Sequence, residues 1–519
     1  MAIKIKKNGW IAIIMIFAIA GVFTLFKTTD LGNIVTFQKD RDYLIYDCDT
    51  YAGWAGITHL NGGLEPNEDC ELYRRFGIKL KIRIVENNRD GFLSGDSDVT
   101  FVTGDVRPIE MGENSVMLDS RVFALANISR GADAIVVNKT IKTVNDLVGK
   151  RGAYPPGQAG HTLLLEVLET SGLKDSDVTL TQFFKDNNGK EIKVENGMDA
   201  ALAFKANQAD FAAVYSPDDI DLVKSIPGAK VLFTTKQAPN IIVDCWMATE
   251  TTIMKKKDKL IKLTEALLYS NVELATNDEF LKGAAVTFAR SFGVDKEFIC
   301  ELNDRGQIIG SVRDVLRFNT VGDNLNFFDL NSNYTGVTGE MLYNKMARKY
   351  EEIGLTKKPT KWFKTIDLSI IEAISEYNGI SNDQSAEKEK TYVAPTITQI
   401  NTAVAVSNKN VIVEFDTNSS TLNSEAQYII DSEFADIAKN FTNYIRVEGN
   451  TDNTGSIAIN AEISKRRAQA VIDYLIKEHK IDRNRFLPAI GNGSTHAINA
   501  RSVGPDKQYR NTSFQLISE

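Results

Sequence analysis

Hydrophobic positions along this chain change character four times. Trp10 to Phe26 is a charge-free run of 17 residues, apolar apart from Thr24. From about residue 31 to 375, short apolar runs alternate with amphipathic segments. Leu80–Val85 alternates as a half-buried strand, and Val99–Val102, Ala134–Val137, Phe211–Tyr215 and Lys230–Phe233 read as short buried strands. Helical spacing fills His161–Ser171 and Met198–Gln208 between them, then Met341–Ile353 and Ile366–Tyr377 in a helix-rich stretch. Strands alternating with helices predict an α/β fold with mostly parallel sheets. Periodicity fades over 378–400, which reads as an exposed linker with Pro395 near its end. A last unit follows. Tyr444–Val447 predicts a strand ending at Gly449, and Asp452, Asn453 and Gly455 supply a turn. A helix is expected from near Ser456 to about Lys480, burying Ile459, Ile463, Ala470, Val471, Tyr474 and Leu475. The expected organisation is therefore 1–30, a basic tip and apolar span; 31–375, the α/β body; 376–404, the linker; and 405–519, an α+β C-terminal domain.

The N-terminal run changes the cellular picture. Seventeen residues is the lower limit for a membrane-spanning helix, for which about 17–25 are needed. A cleavable secretory signal competes, because Ala18-Ile19-Ala20 precedes Gly21. The apolar run continues past that point to Phe26, which favours an uncleaved anchor. Lys4, Lys6 and Lys7 before it place the N-terminus in the cytoplasm and the rest outside. The expectation is a single-pass protein of a bacterial inner membrane with its bulk in the periplasm.

Composition narrows the partners. A net charge of −8 without a dense basic patch argues against nucleic acid. Cys48, Cys70, Cys245 and Cys300 form no C-x-x-C, and the four histidines show no ligand spacing, so neither metal nor cofactor is expected. If all four cysteines are oxidised, three pairings are open.

The C-terminal unit carries the sharpest chemistry. Asp452 sits on a loop after a strand, and Arg467 lies about three turns into the next helix. A carboxylate for an ammonium and a guanidinium fork for a carboxylate suit a zwitterionic amino acid. The run Gly449-Asn450-Thr451-Asp452-Asn453-Thr454-Gly455, then Asn460, Ile463-Ser464 and Arg467-Ala468, resembles the OmpA/MotB/Pal-type peptidoglycan-binding domain. Val411–Asp416 with Ser420 and Leu422 is similar to that family's first strand and loop, and Ile490–Gly493 to its G-x-G turn. The resemblance covers about 405–519. It implies that Asp452 and Arg467 clamp the diaminopimelate of the peptidoglycan stem peptide, with Thr451, Asn460, Ile463 and Arg510 beside them. Asn450 stands where the family usually has His, and the terminal N-R-R-V pattern survives only as Tyr509-Arg510-Asn511-Thr512.

The body carries a second resemblance. Ser129–Val137, then Ile141–Arg151, and later Asn207–Pro217, are similar to solute-binding receptors of the nitrate/sulfonate/thiamine-precursor ABC-transporter type over roughly 40–300. This implies a two-lobed type 2 periplasmic-binding-protein-like fold with a small solute in the cleft. Candidate contacts are Tyr51, Gly53 and Trp54 to enclose it, and Thr103, Asp105, Ser216 and Asp244 to hydrogen-bond it. Gly157, Gln158 and Ala159 form a loop opening the helix at His161. A helix start offers free N–H groups to an anion, so an anionic or zwitterionic solute is expected.

The leading expectation is a non-enzymatic, membrane-anchored envelope protein that grips peptidoglycan and carries a solute-binding module. The alternative is a scaffold of a transporter or other envelope complex whose module no longer binds ligand. A stator-like subunit is disfavoured because the apolar span holds no carboxylate to carry a proton. No nucleophile elbow, phosphate loop or supported acid pair points to catalysis.

Overall fold

The computed structural model describes residues 41–85, 87–186, 188–376, 391–415, 419–502 and 504–518. The apolar run Trp10–Phe26, residues 377–390 of the linker, and Asp416 lie outside them. Among the described residues no helix is long and apolar enough to cross a membrane.

The chain begins one lobe with β1 (Leu44–Cys48), β2 (Leu80–Ile84), β3 (Val99–Thr103) and β4 (Ser120–Ser129). It crosses into a second lobe for β5 (Asp133–Val137), β6 (Arg151–Ala153), β7 (Thr179–Leu180), the hairpin β8 (Phe183–Lys185) and β9 (Glu191–Lys193), β10 (Phe211–Tyr215) and β11 (Lys230–Thr234). It returns through β12 (Val243–Thr249), a small hairpin of β13 (Cys300–Leu302) and β14 (Ile308–Ser311), and β15 (Leu316–Phe318). The sheets run β15-β4-β12-β3-β1-β2 and β11-β5-β10-β6-β7. The two crossings, 129–133 and 234–243, form the hinge.

Both sheets are mixed, not mostly parallel. β1 pairs parallel with β2 and β3, and β6 parallel with β10 and β7. The crossing strands run the other way: β12 is antiparallel to β3 and β4, and β5 to β10 and β11. β4 continues almost directly into β5, with no crossover helix to restore direction, so each crossing strand enters its sheet reversed. Local periodicity carries no trace of that reversal.

Two helices matter for function. α1 (Ala159–Glu169) follows β6 with Gly157 before it at φ +74°, a left-handed turn that suits glycine. α2 (Gly339–Glu352) starts at the N-cap Thr338, whose side chain accepts from the Met341 N–H. The apolar face of α2, including Leu342, Tyr343, Met346 and Tyr350, joins the core of the first lobe. The residues beyond 300 thus complete that lobe. All four cysteines are buried thiols and none is paired.

The C-terminal unit is a four-stranded sheet of β16 (Ala405–Val411), β17 (Tyr444–Asn450), β18 (Ile490–Gly493) and β19 (Thr512–Ile517), in the order β16-β19-β17-β18. α3 (Ile457–His479) covers it, capped by Ser456, whose hydroxyl accepts from the Ile459 N–H. The helix lies so close that a Cβ on Gly449 would fall 2.1 Å from the Ser464 carbonyl oxygen, and one on Gly491 2.3 Å from that of Ala461. Its buried face is Ile463, Ser464, Ala468, Val471, Ile472 and Leu475, while Ile459 is exposed and Ala470 half-buried. Small residues face the glycine-lined strands, so the expected all-apolar stripe was placed one row off near its start. The first strand also ends at Val411, earlier than the apolar run Val411–Phe415 suggests. Its ladder carries the polar Ser407 and Lys409, both buried.

This unit is docked on the second lobe. Phe441 meets Phe233 edge-on at 5.7 Å. Asn145 and Asn408 exchange hydrogen bonds of 3.0 and 3.1 Å, and the Thr442 N–H donates to the Gln237 carbonyl at 2.7 Å. The linker's end is pinned as well: the Tyr392 hydroxyl donates to the Thr442 carbonyl, and its ring lies under Arg485.

Candidate functional sites

Asp452 leaves the end of β17 on a loop tied to β18, where the Thr451 N–H donates to the Gly493 carbonyl at 2.8 Å. Its side chain is only 3% exposed. Oδ1 accepts from the Thr454 N–H at 3.1 Å and from the Thr454 hydroxyl; Oδ2 accepts from Arg510 Nε at 2.5 Å and from the Asp506 N–H at 3.3 Å. Asn460 braces the loop by donating to the Thr454 carbonyl at 2.9 Å, and Ile463 is buried beneath. Arg467 is half-buried, donates to the Ser419 carbonyl at 3.0 Å and lies 4.9 Å over the Phe415 ring.

The loop acid therefore pairs with Arg510, and Arg467 stands beside that pair. The charges feel one another. Burial pushes the Asp452 carboxyl up, but Thr454 and Arg510 hold it below its usual value. Burial, then the like charge of Arg510, lower the Arg467 pKa against the pull of Asp452. One carboxylate and two guanidiniums thus share one end of the sheet, a cluster of net positive charge. Thr451 adds a buried hydroxyl with no hydrogen-bond partner among the described residues. The Asp452–Arg510 contact spans 58 positions; the resemblance places Arg510 at this site, and the structure pairs it with Asp452 directly.

The second site lies at the junction of the two lobes. Thr103, Asp244 and Asn127 sit side by side across β3, β12 and β4, in the register Thr103–Asp244–Asn127. Directly paired residues project to the same face. The Tyr51 hydroxyl donates to Asn127 Oδ1 at 2.8 Å. Trp54 is fully buried against Tyr46, Tyr51 and Phe101, so its ring is core; its indole N–H donates to Asp49 at 3.1 Å. From the second lobe, the Thr162 hydroxyl on α1 bonds Asp105 Oδ2 at 2.6 Å and the Tyr350 hydroxyl at 2.6 Å. Tyr215, at the end of β10, reaches Gln158 Oε1 at 3.4 Å. Ser216 donates to Asp219 at 2.8 Å. The Gly157 N–H is taken by His161 Nδ1 at 3.0 Å, and Ala159 opens the helix with no side-chain cap from Gln158. At the hinge, the Ser129 hydroxyl bonds Asp133 at 2.6 Å and Thr235 at 2.7 Å.

The junction is thus lined by carboxylates. Asn127 and Asp49 belong to it with no sequence motif to single them out, while Asp133 and Tyr215 lie inside the Ser129–Val137 and Asn207–Pro217 runs. An anion held at the start of α1 would sit among these groups, which is electrostatically unfavourable.

The comparisons agree with this division. The OmpA family matches residues 414–512, and the NMT1/THI5 like family matches residues 120–278. No curated protein matches the chain in sequence. Similar solved structures include the periplasmic aliphatic sulphonate binding protein SsuA from Escherichia coli, at 17% identity, covering 69% of this chain and 98% of that one, TM-score 0.45. Another is the nitrate-binding protein NrtA from Synechocystis PCC 6803, at 10% identity, covering 64% and 86%, TM-score 0.44. A third is the desulfurization enzyme DSZB, at 14% identity, covering 64% and 98%, TM-score 0.41. The chain joins an NMT1/THI5-like solute-binding domain, 120–278, to a C-terminal OmpA-family domain, 414–512.

Proposed function

We propose that this is a bacterial envelope protein that holds peptidoglycan through its OmpA-family domain and presents a two-lobed solute-binding module in the periplasm. In this reading the apolar run Trp10–Phe26 anchors it in the inner membrane. The observation that carries the proposal is the cluster of Asp452, Arg467 and Arg510 at one end of the C-terminal sheet. A diaminopimelate side chain ends in an ammonium and a carboxylate. The carboxylate is suited to the guanidiniums of Arg467 and Arg510, and the ammonium to Asp452. Arg510 already occupies Asp452, and its own side chain is 42% exposed, so it can move aside as the ammonium enters.

The test is co-sedimentation of the full chain with purified sacculi. Arg467→Ala and Asp452→Asn should each abolish pelleting while the melting temperature of the chain stays within a few degrees. Undiminished pelleting of both variants would refute the assigned roles.

A further inference from the structure

We propose that the cleft between the lobes takes an organic cation: a solute whose positively charged nitrogen lodges among Asp49, Asp105, Asp133 and Asp244 beside the rings of Tyr51 and Tyr215. The inference deepens the solute-binding reading and rests on it.

Four carboxylates reach this junction from four different places in the chain: the end of β1, the loop after β3, the start of β5 and β12. Among the described residues, none accepts a hydrogen bond from Lys or Arg. Their donors are neutral: the Trp54 indole for Asp49 at 3.1 Å, the Thr162 hydroxyl for Asp105 at 2.6 Å and the Ser129 hydroxyl for Asp133 at 2.6 Å; Asp244 lies beside the Tyr51 phenol, whose own proton goes to Asn127 Oδ1 at 2.8 Å. The cation that acts on Asp49 is Arg89, itself already bound to Glu110 Oε1 at 2.7 Å and the Phe101 carbonyl at 2.8 Å. Elsewhere among the described residues several buried acids are paired with a cation: Asp47 with Arg83, Asp98 with Lys256, Glu166 with Lys345. Asp105, Asp133 and Asp244 are as deeply buried and have no such cation among those residues, while Asp49 is exposed at the rim.

Two buried polar atoms independently lack a partner at the same place. Asp105 is fully buried, and its Oδ1 accepts nothing; Asn127 is 1% exposed, and its amide Nδ2 donates to nothing. Asn127 is the register neighbour of Asp244 and holds the Tyr51 hydroxyl, so its open amide belongs to the same space. Orphaned buried groups of this kind cost free energy unless something else satisfies them. The groups also crowd one another electrically. Burial raises the Asp244 carboxyl, with Asp49, Asp105 and Asp133 adding to the rise, and the Tyr215 phenol feels all four acids. The carboxylates are spread too far to share a metal, since no cluster of three metal-ligating side chains occurs among the described residues. An ammonium beside two phenol rings and several carboxylates satisfies the charge and the open acceptor of Asp105, and an oxygen on the same solute would accept from the open Asn127 amide.

The test is calorimetric titration of the full chain with choline and putrescine as cationic probes, and isethionate and nitrate as anionic ones. A cationic probe should bind and both anions should give no heat. Asp244→Asn and Asp105→Asn, chosen to keep side-chain volume, should each weaken the cation about tenfold or more, as loss of a charged hydrogen-bond partner requires. Affinity should also fall as pH is lowered through 7 to 6, where protons compete for the carboxyls of Asp105 and Asp133, pushed up by burial to about 7 and about 6. Binding of an anion without a cation would overturn the inference and leave the receptor reading standing. Silence from all four probes would overturn both. Cation binding indifferent to both substitutions would place it elsewhere on the surface and overturn the inference.

Discussion

Glu166 is where both lobes and the C-terminal unit meet, and its removal tests whether the three move as one. It lies on α1 of the second lobe and is 1% exposed. It accepts from Lys345 Nζ on α2 of the first lobe at 2.8 Å and from Asn440 Nδ2 of the C-terminal unit at 3.1 Å, with Lys349 Nζ 3.5 Å away. In Glu166→Ala, Lys345 keeps only Glu169, at 3.3 Å, and the Asn440 amide loses its acceptor. Breaking a buried pair from one side costs ~3–5 kcal/mol. At 1.4 kcal/mol per decade, that is roughly a hundred- to several-thousand-fold in a local opening equilibrium. Hydrogen exchange read by mass spectrometry over residues 159–169, 339–352 and 436–443 should show protection lost in all three segments together. Replacing both partners, Glu166→Leu with Lys345→Met, should recover most of it, because no uncompensated charge then remains. Exchange changed less than about threefold, or in one segment alone, would refute the idea that this knot ties the three units.

Three further outcomes are expected. Burial pushes the Glu169 carboxyl up, but Lys345 and Lys349 override it and hold it at about 2. A carboxyl held below its ordinary 4.5 contributes stability that is complete above that pH and lost as pH falls toward 2; the acid limb of a pH–stability curve should flatten in Glu169→Gln, and an unchanged limb would refute this. Asp105, raised by burial to about 7, has the opposite sign: the folded chain keeps a proton the unfolded chain releases, so stability falls as pH rises from 4 through 7. Asp105→Asn should therefore raise stability at pH 8 more than at pH 5, by at most about 3 kcal/mol for the two units between pH 5 and the folded value of about 7; equal effects at both pH values would contradict it. Gly449→Ala places a Cβ 2.1 Å from the Ser464 carbonyl, which belongs to helix backbone and cannot swing away; overpacking of about 1–3 kcal/mol or more should lower the melting temperature of the C-terminal unit, and an unchanged melt would refute it.

What could be read in the sequence was local. α3 was legible within a residue at each end because Ser456 caps its start and its periodicity is long. β10 was legible because five apolar residues end at Ser216-Pro217. The loop acid and the helix arginine were legible through the surrounding pattern. What was hidden depends on distant pairings. Arg510 reaches Asp452 only because β19 lies beside β17, and Asp133 joins Asp105 only because the chain crosses lobes at residue 130. Glu166, in the middle of an apolar helix, looked like an isolated polar position; its partners are 179 and 274 residues away.

The same knot bears on how the module works. Opening of the lobes has to separate both contacts that one helix makes: Thr162 from Asp105 near the start of α1, and Glu166 from Lys345 one turn further on. An α-helix advances 1.5 Å per residue, so these contacts lie about 6 Å apart along a rigid rod and yield together. Asn440 of the C-terminal unit adds a bond to the second of them. In the proposed reading, a solute cation held between the lobes would add its own contacts across the first. A solute in the cleft and the C-terminal unit would therefore act on one closed arrangement, and each would stabilise it only to the extent that it binds the closed form better than the open one. By that reciprocity, weakening Asn440 must loosen the solute as surely as losing the solute loosens the dock.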